Sequence, residues 1–241
     1  GADMKLRNAG GGTALLLAKA KGHTECVEAF RTYLGEVAAD RSKAPPLAEA
    51  GDALAGGATA GEAAAGASTA ASASGDEGGA VPEKVVDAVE DGNEEAVVAW
   101  LDGGGRVDAR FVCVFSDGPA SGMTLLMIAM AHGREGLAEA LLQRGADVSL
   151  QSGDGGTALK LAAGNGFVKL VELALRHGAA IDRQGGSVYS TALVDAASKG
   201  HEKAVDALIR HGAAIDHQCN SGNTALIRAA FCGHLTVVRH G

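Results

Sequence analysis

His217, Cys219, Cys232 and His234 form the one group of side chains in this 241-residue chain whose types suit a transition-metal site. Their spacing fits no compact zinc motif, and none of the four cysteines (Cys26, Cys113, Cys219, Cys232) sits in a Cys-x-x-Cys pair. Gly153-Asp154-Gly155-Gly156-Thr157 has the glycine content of a phosphate-cradling loop. It lacks the Gly-Lys-Ser/Thr ending that would reach phosphate and magnesium, and no apolar strand precedes it. Neither a Gly-x-Ser-x-Gly nucleophile turn nor a His-Glu-x-x-His pair is present. The expectation is therefore no catalytic residue, no metal, no cofactor and no enzyme. His23, His201 and His234 each directly follow a glycine, where a polar side chain can cap the start of a helix.

Those glycines belong to an internal repeat. Thr124, Thr157, Thr191 and Thr224 open successive units at spacings of 33, 34 and 33 residues. Nine residues after each Thr stands Gly133, Gly166, Gly200 or Gly233, and twelve further on come Gly145-Ala146, Gly178-Ala179 and Gly212-Ala213. A Thr hydroxyl can accept from an orphan amide of a first helical turn, and a Gly nine residues later suits a left-handed end cap, so the first helix has about two turns. Behind the Gly, Leu170, Val171, Leu173, Ala174 and Leu175 form a helical apolar stripe, as do Val205, Leu208 and Ile209. Helices this short cannot persist alone in water, so the units must stack.

The units resemble ankyrin repeats: Gly-x-Thr-Ala-Leu, an Ala pair, Gly-His, a Val/Leu-rich helix, Gly-Ala and Ile-Asp follow in family order, with full matches from Ser121 to His234. The resemblance implies an all-α solenoid of stacked helix-turn-helix units with short β-hairpin fingers. One departure recurs. The family's Thr-Pro-Leu-His reads Thr-Ala-Leu-Lys, Thr-Ala-Leu-Val or Thr-Ala-Leu-Ile here, which removes a proline that pre-sets the first helical residue.

The chain divides into three parts. Residues 1–35 carry Gly1-Ala2-Asp3, Thr13 and Gly22-His23 in the same register and read as a partial repeat, the tail of a first array. Residues 36–80, rich in Ala, Gly and Ser with seven acids against Arg41 and Lys43, read as a disordered linker. Residues 81–241 read as the main array, with units near 81–114, 124–156, 157–190, 191–223 and a truncated 224–241. Trp100 falls on a core position of the first of these, and extra residues including Phe111-Val112-Cys113-Val114-Phe115 suggest an extended hairpin. Both ends read as cut inside a repeat, so a fragment of a longer protein is expected. The shortened last unit is expected to leave an uncovered apolar edge.

Formal charge is −8, and no Lys/Arg stripe offers a face for nucleic acid. The longest apolar stretch, Met123 to Ala131, falls far short of the roughly 20 residues that span a bilayer. Sparse cysteines set a reducing, cytoplasmic location as the default, with the nucleus left open. The family implies binding of another protein through finger residues before each Thr and the positions ending each first helix. On this sequence these include Met123, His132, Asp154, Asn165, Val188, Lys199, Asn223 and Phe231, together with Tyr189, which replaces a finger glycine. The expected role is a monomeric protein-interaction module. The alternatives are a substrate-targeting region of a kinase or ubiquitin ligase whose catalytic domain lies elsewhere, and a metal-dependent enzyme built on the four residues named first.

Overall fold

In five of the six units a threonine hydroxyl starts the first helix, and Pro82 precedes the sixth without a side-chain cap. Thr13, Thr124, Thr157, Thr191 and Thr224 are extended, and each side chain accepts from the amide three residues on. The resulting computed structural model describes residues 1–43, 81–115, 118–186 and 189–240. In chain order the helices are α1 (Ala14–Lys21), α2 (Thr24–Lys43), α3 (Glu83–Asp91), α4 (Glu94–Asp102), α5 (Leu125–Ala131) and α6 (Glu135–Gln143). They continue with α7 (Ala158–Gly164), α8 (Val168–Arg176), α9 (Ala192–Lys199), α10 (Glu202–Arg210), α11 (Ala225–Cys232) and α12 (Leu235–His240). Among the described residues the only sheet is the hairpin of β1 (Phe111–Phe115) and β2 (Gly118–Met123), paired antiparallel with Phe111 opposite Met123. It forms where the sequence carries its extra β-branched and aromatic residues.

Odd-numbered helices pack on odd and even on even, so the molecule is a stack of helix pairs with one continuous core. Small residues set the spacing: Ala18, Ala162, Ala163, Ala196, Ala197, Ala229 and Ala230 are fully buried between first helices. The turn glycines do two things at once. Gly200 has φ of 76°, and a Cβ there would lie 2.5 Å from the His234 ring of the next unit, so both the backbone and the neighbour require glycine.

Spatial order departs from chain order. α1 packs on α11 and α2 on α12, so the helix pair of residues 1–43 lies after residue 240 in the stack. This differs from the expected separate array and covers most of the edge expected to be bare. The contacts repeat those inside the array. The Ala9 amide donates to the Ser221 carbonyl as the Gly153 amide does to that of Ser121. The Asp3 amide donates to Asp216 Oδ1 at 2.8 Å, as the Asp147 amide does to Asp108 Oδ1 at 3.0 Å. Because every unit presents the same landmarks, a helix pair from elsewhere in the chain can occupy the next place in the stack. The edge is not wholly closed: α12 stops at His240, and a cavity of about 890 Å³ remains, lined by Gly1, Met4, Phe30, Tyr33, Leu235 and Val238 among others.

Two further expectations meet the structure here. Helix α2 runs to Lys43, so the start of the stretch expected to be disordered is helical, while residues 44–80 lie outside the described residues. Trp100 is partly buried against the core and faces Gly105, where a Cβ would lie 2.5 Å from the indole.

Candidate partner-binding face

Four of the turn glycines are followed by a side chain that bonds the end of a neighbouring first helix. His201 Nε2 meets the Gly164 carbonyl at 3.1 Å, His234 Nε2 that of Ser198 at 3.0 Å, and His23 Nε2 that of Phe231 at 3.0 Å. Arg134 Nε donates to the Glu90 carbonyl at 2.8 Å from the same position. The histidines were expected to cap their own second helices. They instead satisfy carbonyls at the C-terminal end of the preceding unit's first helix, groups with no intrahelical donor, and His201 makes no side-chain cap bond. These bonds, with one from Asn165 Nδ2 to the Ala131 carbonyl, tie Ala131–His132, Gly164–Asn165, Ser198–Lys199, Phe231–Cys232 and Lys21 into one row.

The sequence-derived positions distribute along this row and the adjoining fingers. Asn165 is exposed and its Nδ2 donates to the Ala131 and Leu161 carbonyls. His132 is half-buried, and Lys199 is exposed with Nζ directed back toward Gly164. Asp154 is exposed on its finger, where its carboxylate accepts from Ser152 Oγ. Asn223 Oδ1 accepts from Asn8 Nδ2 at 3.1 Å, which joins the fingers of the last two units in the stack. Phe231 is half-buried, with Lys21 Nζ 4.4 Å and the Arg228 guanidinium carbon 6.0 Å from its ring centre. Val188 lies outside the described residues.

One position is corrected. Met123 is 2% exposed and inaccessible to a partner, because the long hairpin pairs Phe111 with Met123 and directs its side chain into the core. Tyr189, by contrast, is 52% exposed and is the one non-glycine residue with positive φ among those described, at 50°. Gly11, Gly122, Gly155 and Gly222 hold the same place in other fingers with φ between 66° and 82°. A tyrosine in this region costs about 1–2 kcal/mol relative to extended or right-handed backbone.

Sequence reasoning missed Lys21, Arg228 and Lys160. Lys21 precedes Gly22-His23 as Lys199 precedes Gly200-His201, so the repeat register carried the signal once residues 1–43 are placed in the same stack. Lys160 occupies the place of the family histidine. It is buried, donates to the Gly185 carbonyl and Ser190 Oγ of the next finger, and pairs with Asp195 at 3.6 Å.

Three of the four residues first considered as metal ligands are engaged separately, and Cys232 is a free, half-buried thiol. His217 bonds Gln184, Cys219 Sγ meets Ser221 Oγ at 3.2 Å, and His234 holds Ser198. Among the described residues no three His, Cys, Asp or Glu side chains converge on one point. Burial alone would raise the Cys219 thiol, but hydrogen bonds from Ser221 and Asn223 and the Arg228 charge bring it below the ordinary thiol range. Cys26 is pushed up by burial and then by Glu25.

A stack of short helix pairs joined by glycine-capped turns and fingers defines a helical repeat protein of the solenoid class. Ankyrin repeats (3 copies) match residues 85–184 and Ankyrin repeats (many copies) match residues 193–239. The chain belongs to the ankyrin repeat family, whose domains are protein-protein interaction modules and are typically non-catalytic. Comparison with curated proteins gives no match. Among the described residues no helix is long and apolar enough to cross a membrane.

Proposed function

We propose that this chain acts as a binding scaffold, without chemistry of its own, that holds a partner protein across the row of first-helix ends and the Tyr189 finger. The observation that carries this reading is Tyr189. A half-exposed aromatic ring is held in a backbone conformation that four other fingers fill with glycine. Strain of this kind persists where the surrounding structure enforces it, and it concentrates at sites of function. Aromatic side chains are frequent interface anchors, and Phe231 supplies a second ring on the same side of the stack as Lys199 and Asn165. The chain works as a monomer, and four free thiols, three of them buried, support a reducing compartment.

The test compares proteins retained from a cell extract by the wild-type chain with those retained by Phe231→Ala and Tyr189→Gly, alongside the melting temperature of each. A defined set of proteins lost from both variants at preserved stability supports the assignment. Retention unchanged in both overturns it.

A further inference from the structure

We propose that the part of this face around Phe231 is a composite site for an acidic stretch of a partner polypeptide, assembled when residues 1–43 dock on α11; the proposal rests on the protein-binding reading above. Two cations from neighbouring units meet there, and a third lies one unit further along the row. Lys199 ends α9, Arg228 lies on α11, and Lys21 ends α1. Lys21 and Arg228 converge on the Phe231 ring from α1 and from within α11, at 4.4 and 6.0 Å. The His23 bond to the Phe231 carbonyl and the His234 bond to the Ser198 carbonyl hold the three helix ends in register.

None of the three has a carboxylate within ion-pair distance among the described residues. The same face shows what a satisfied cation looks like, since Lys160 is buried and paired with Asp195. In a chain of net charge −8, two cations on one ring with no carboxylate in ion-pair distance leave a local positive potential that the composition does not lead one to expect. Along the row the equivalent positions run from Asp91 at the end of α3, through His132, Asn165, Lys199 and Cys232, to Lys21. The sign of charge therefore reverses from one end of the stack to the other, which would orient a bound strand with its acidic end over the last three units. The Phe231 ring between the cations offers apolar contact to the methylenes of a Glu or Asp side chain. A polyanion such as a nucleic acid would meet cations at this end only and acids at the other.

The full chain is titrated into a fluorescein-labelled Glu-rich peptide, its Lys-rich counterpart and a single-stranded oligothymidine, with anisotropy as readout. The expected result is binding of the Glu-rich peptide alone, weakening as salt is raised, and at least about tenfold weaker for Lys21→Glu and for Arg228→Glu. A control with the same change of charge on the second helices, Arg176→Glu, is expected to bind like wild type. Melting temperatures of all variants establish that folding is intact. Absence of Glu-rich binding, equal loss in the Arg176→Glu control, or preference for oligothymidine overturns the proposal. If Lys21→Glu retains the same extract proteins that Phe231→Ala loses, this inference fails while the scaffold reading stands.

Discussion

At the level of single residues, Tyr189 and Asp147 show opposite ways of holding a turn. Tyr189 keeps a left-handed backbone at a cost, so Tyr189→Gly is expected to raise stability by about 1 kcal/mol, read as an increased urea midpoint at unchanged m-value. A fall in the midpoint would mean that the ring packs into the fold. Asp147 holds its turn through charge: the Ser149 hydroxyl donates to it at 2.6 Å and the Ser149 amide at 2.8 Å, and these bonds lower its carboxyl below the usual range. A carboxylate with a lowered folded pKa stabilises the fold above its unfolded pKa, and that stabilisation is lost as pH falls through the folded value. The melting temperature should therefore drop less for Asp147→Asn than for wild type between pH 5 and pH 3, and identical slopes would refute the assignment. The Thr caps and turn glycines were readable residue by residue, because each follows from local backbone chemistry. The histidine partners were not, since Gly164, Ser198 and Phe231 lie in other units and only packing brings their carbonyls within reach.

At the level of elements, the missing prolines leave room for improvement that the structure makes specific. Ala158, Ala192 and Ala225 are the first residues of α7, α9 and α11, and the threonines before them have φ of −121°, −94° and −88° with ψ of 160° to 172°. That is the extended conformation a residue before proline prefers, and a first-turn amide has no intrahelical acceptor to lose. Ala158→Pro and Ala192→Pro should each stabilise by about 0.4–1 kcal/mol by restricting the unfolded chain; a loss in either would show that the ring collides with the preceding finger. Lys160 exerts the opposite pull. Replacing it with Leu leaves the Gly185 carbonyl and Ser190 hydroxyl without their buried donor, and chemical denaturation should report a loss of about 1–3 kcal/mol. Period and helix type were legible here because four units agreed in register. The burial of Met123 was not, because its fate depends on pairing across an insertion that no other unit shares.

For the whole molecule, the placement of residues 1–43 is the feature that no single unit could disclose. Every unit interface is nearly equivalent, so local pattern fixes which segments can stack and leaves their order in space to the packing of the whole chain. The spacing of the landmarks supplies a test. Gly212 follows Gly200 by twelve residues, while Gly241 follows Gly233 by eight, so three bridging residues between Gly241 and Gly1 would set Gly1 in the place that Gly212 holds. A circular permutant that runs 81–241, bridges with Ile-Arg-His as at 209–211, and continues through 1–43 would follow spatial order along its whole length. The bridge would lengthen α12 and place its Ile side chain toward the cavity beside Phe30 and Val238. It would also shorten the connection that the native chain must close between Lys43 and Val81, a loop-closure gain that grows only slowly with length. Filling the cavity should therefore dominate. The permutant is expected to fold and to melt above the native chain. Replacing the bridging Ile with Gly should remove most of that gain while keeping the loop equally short. A permutant that melts below the native chain would show that residues 1–43 do not occupy the end of the stack in solution.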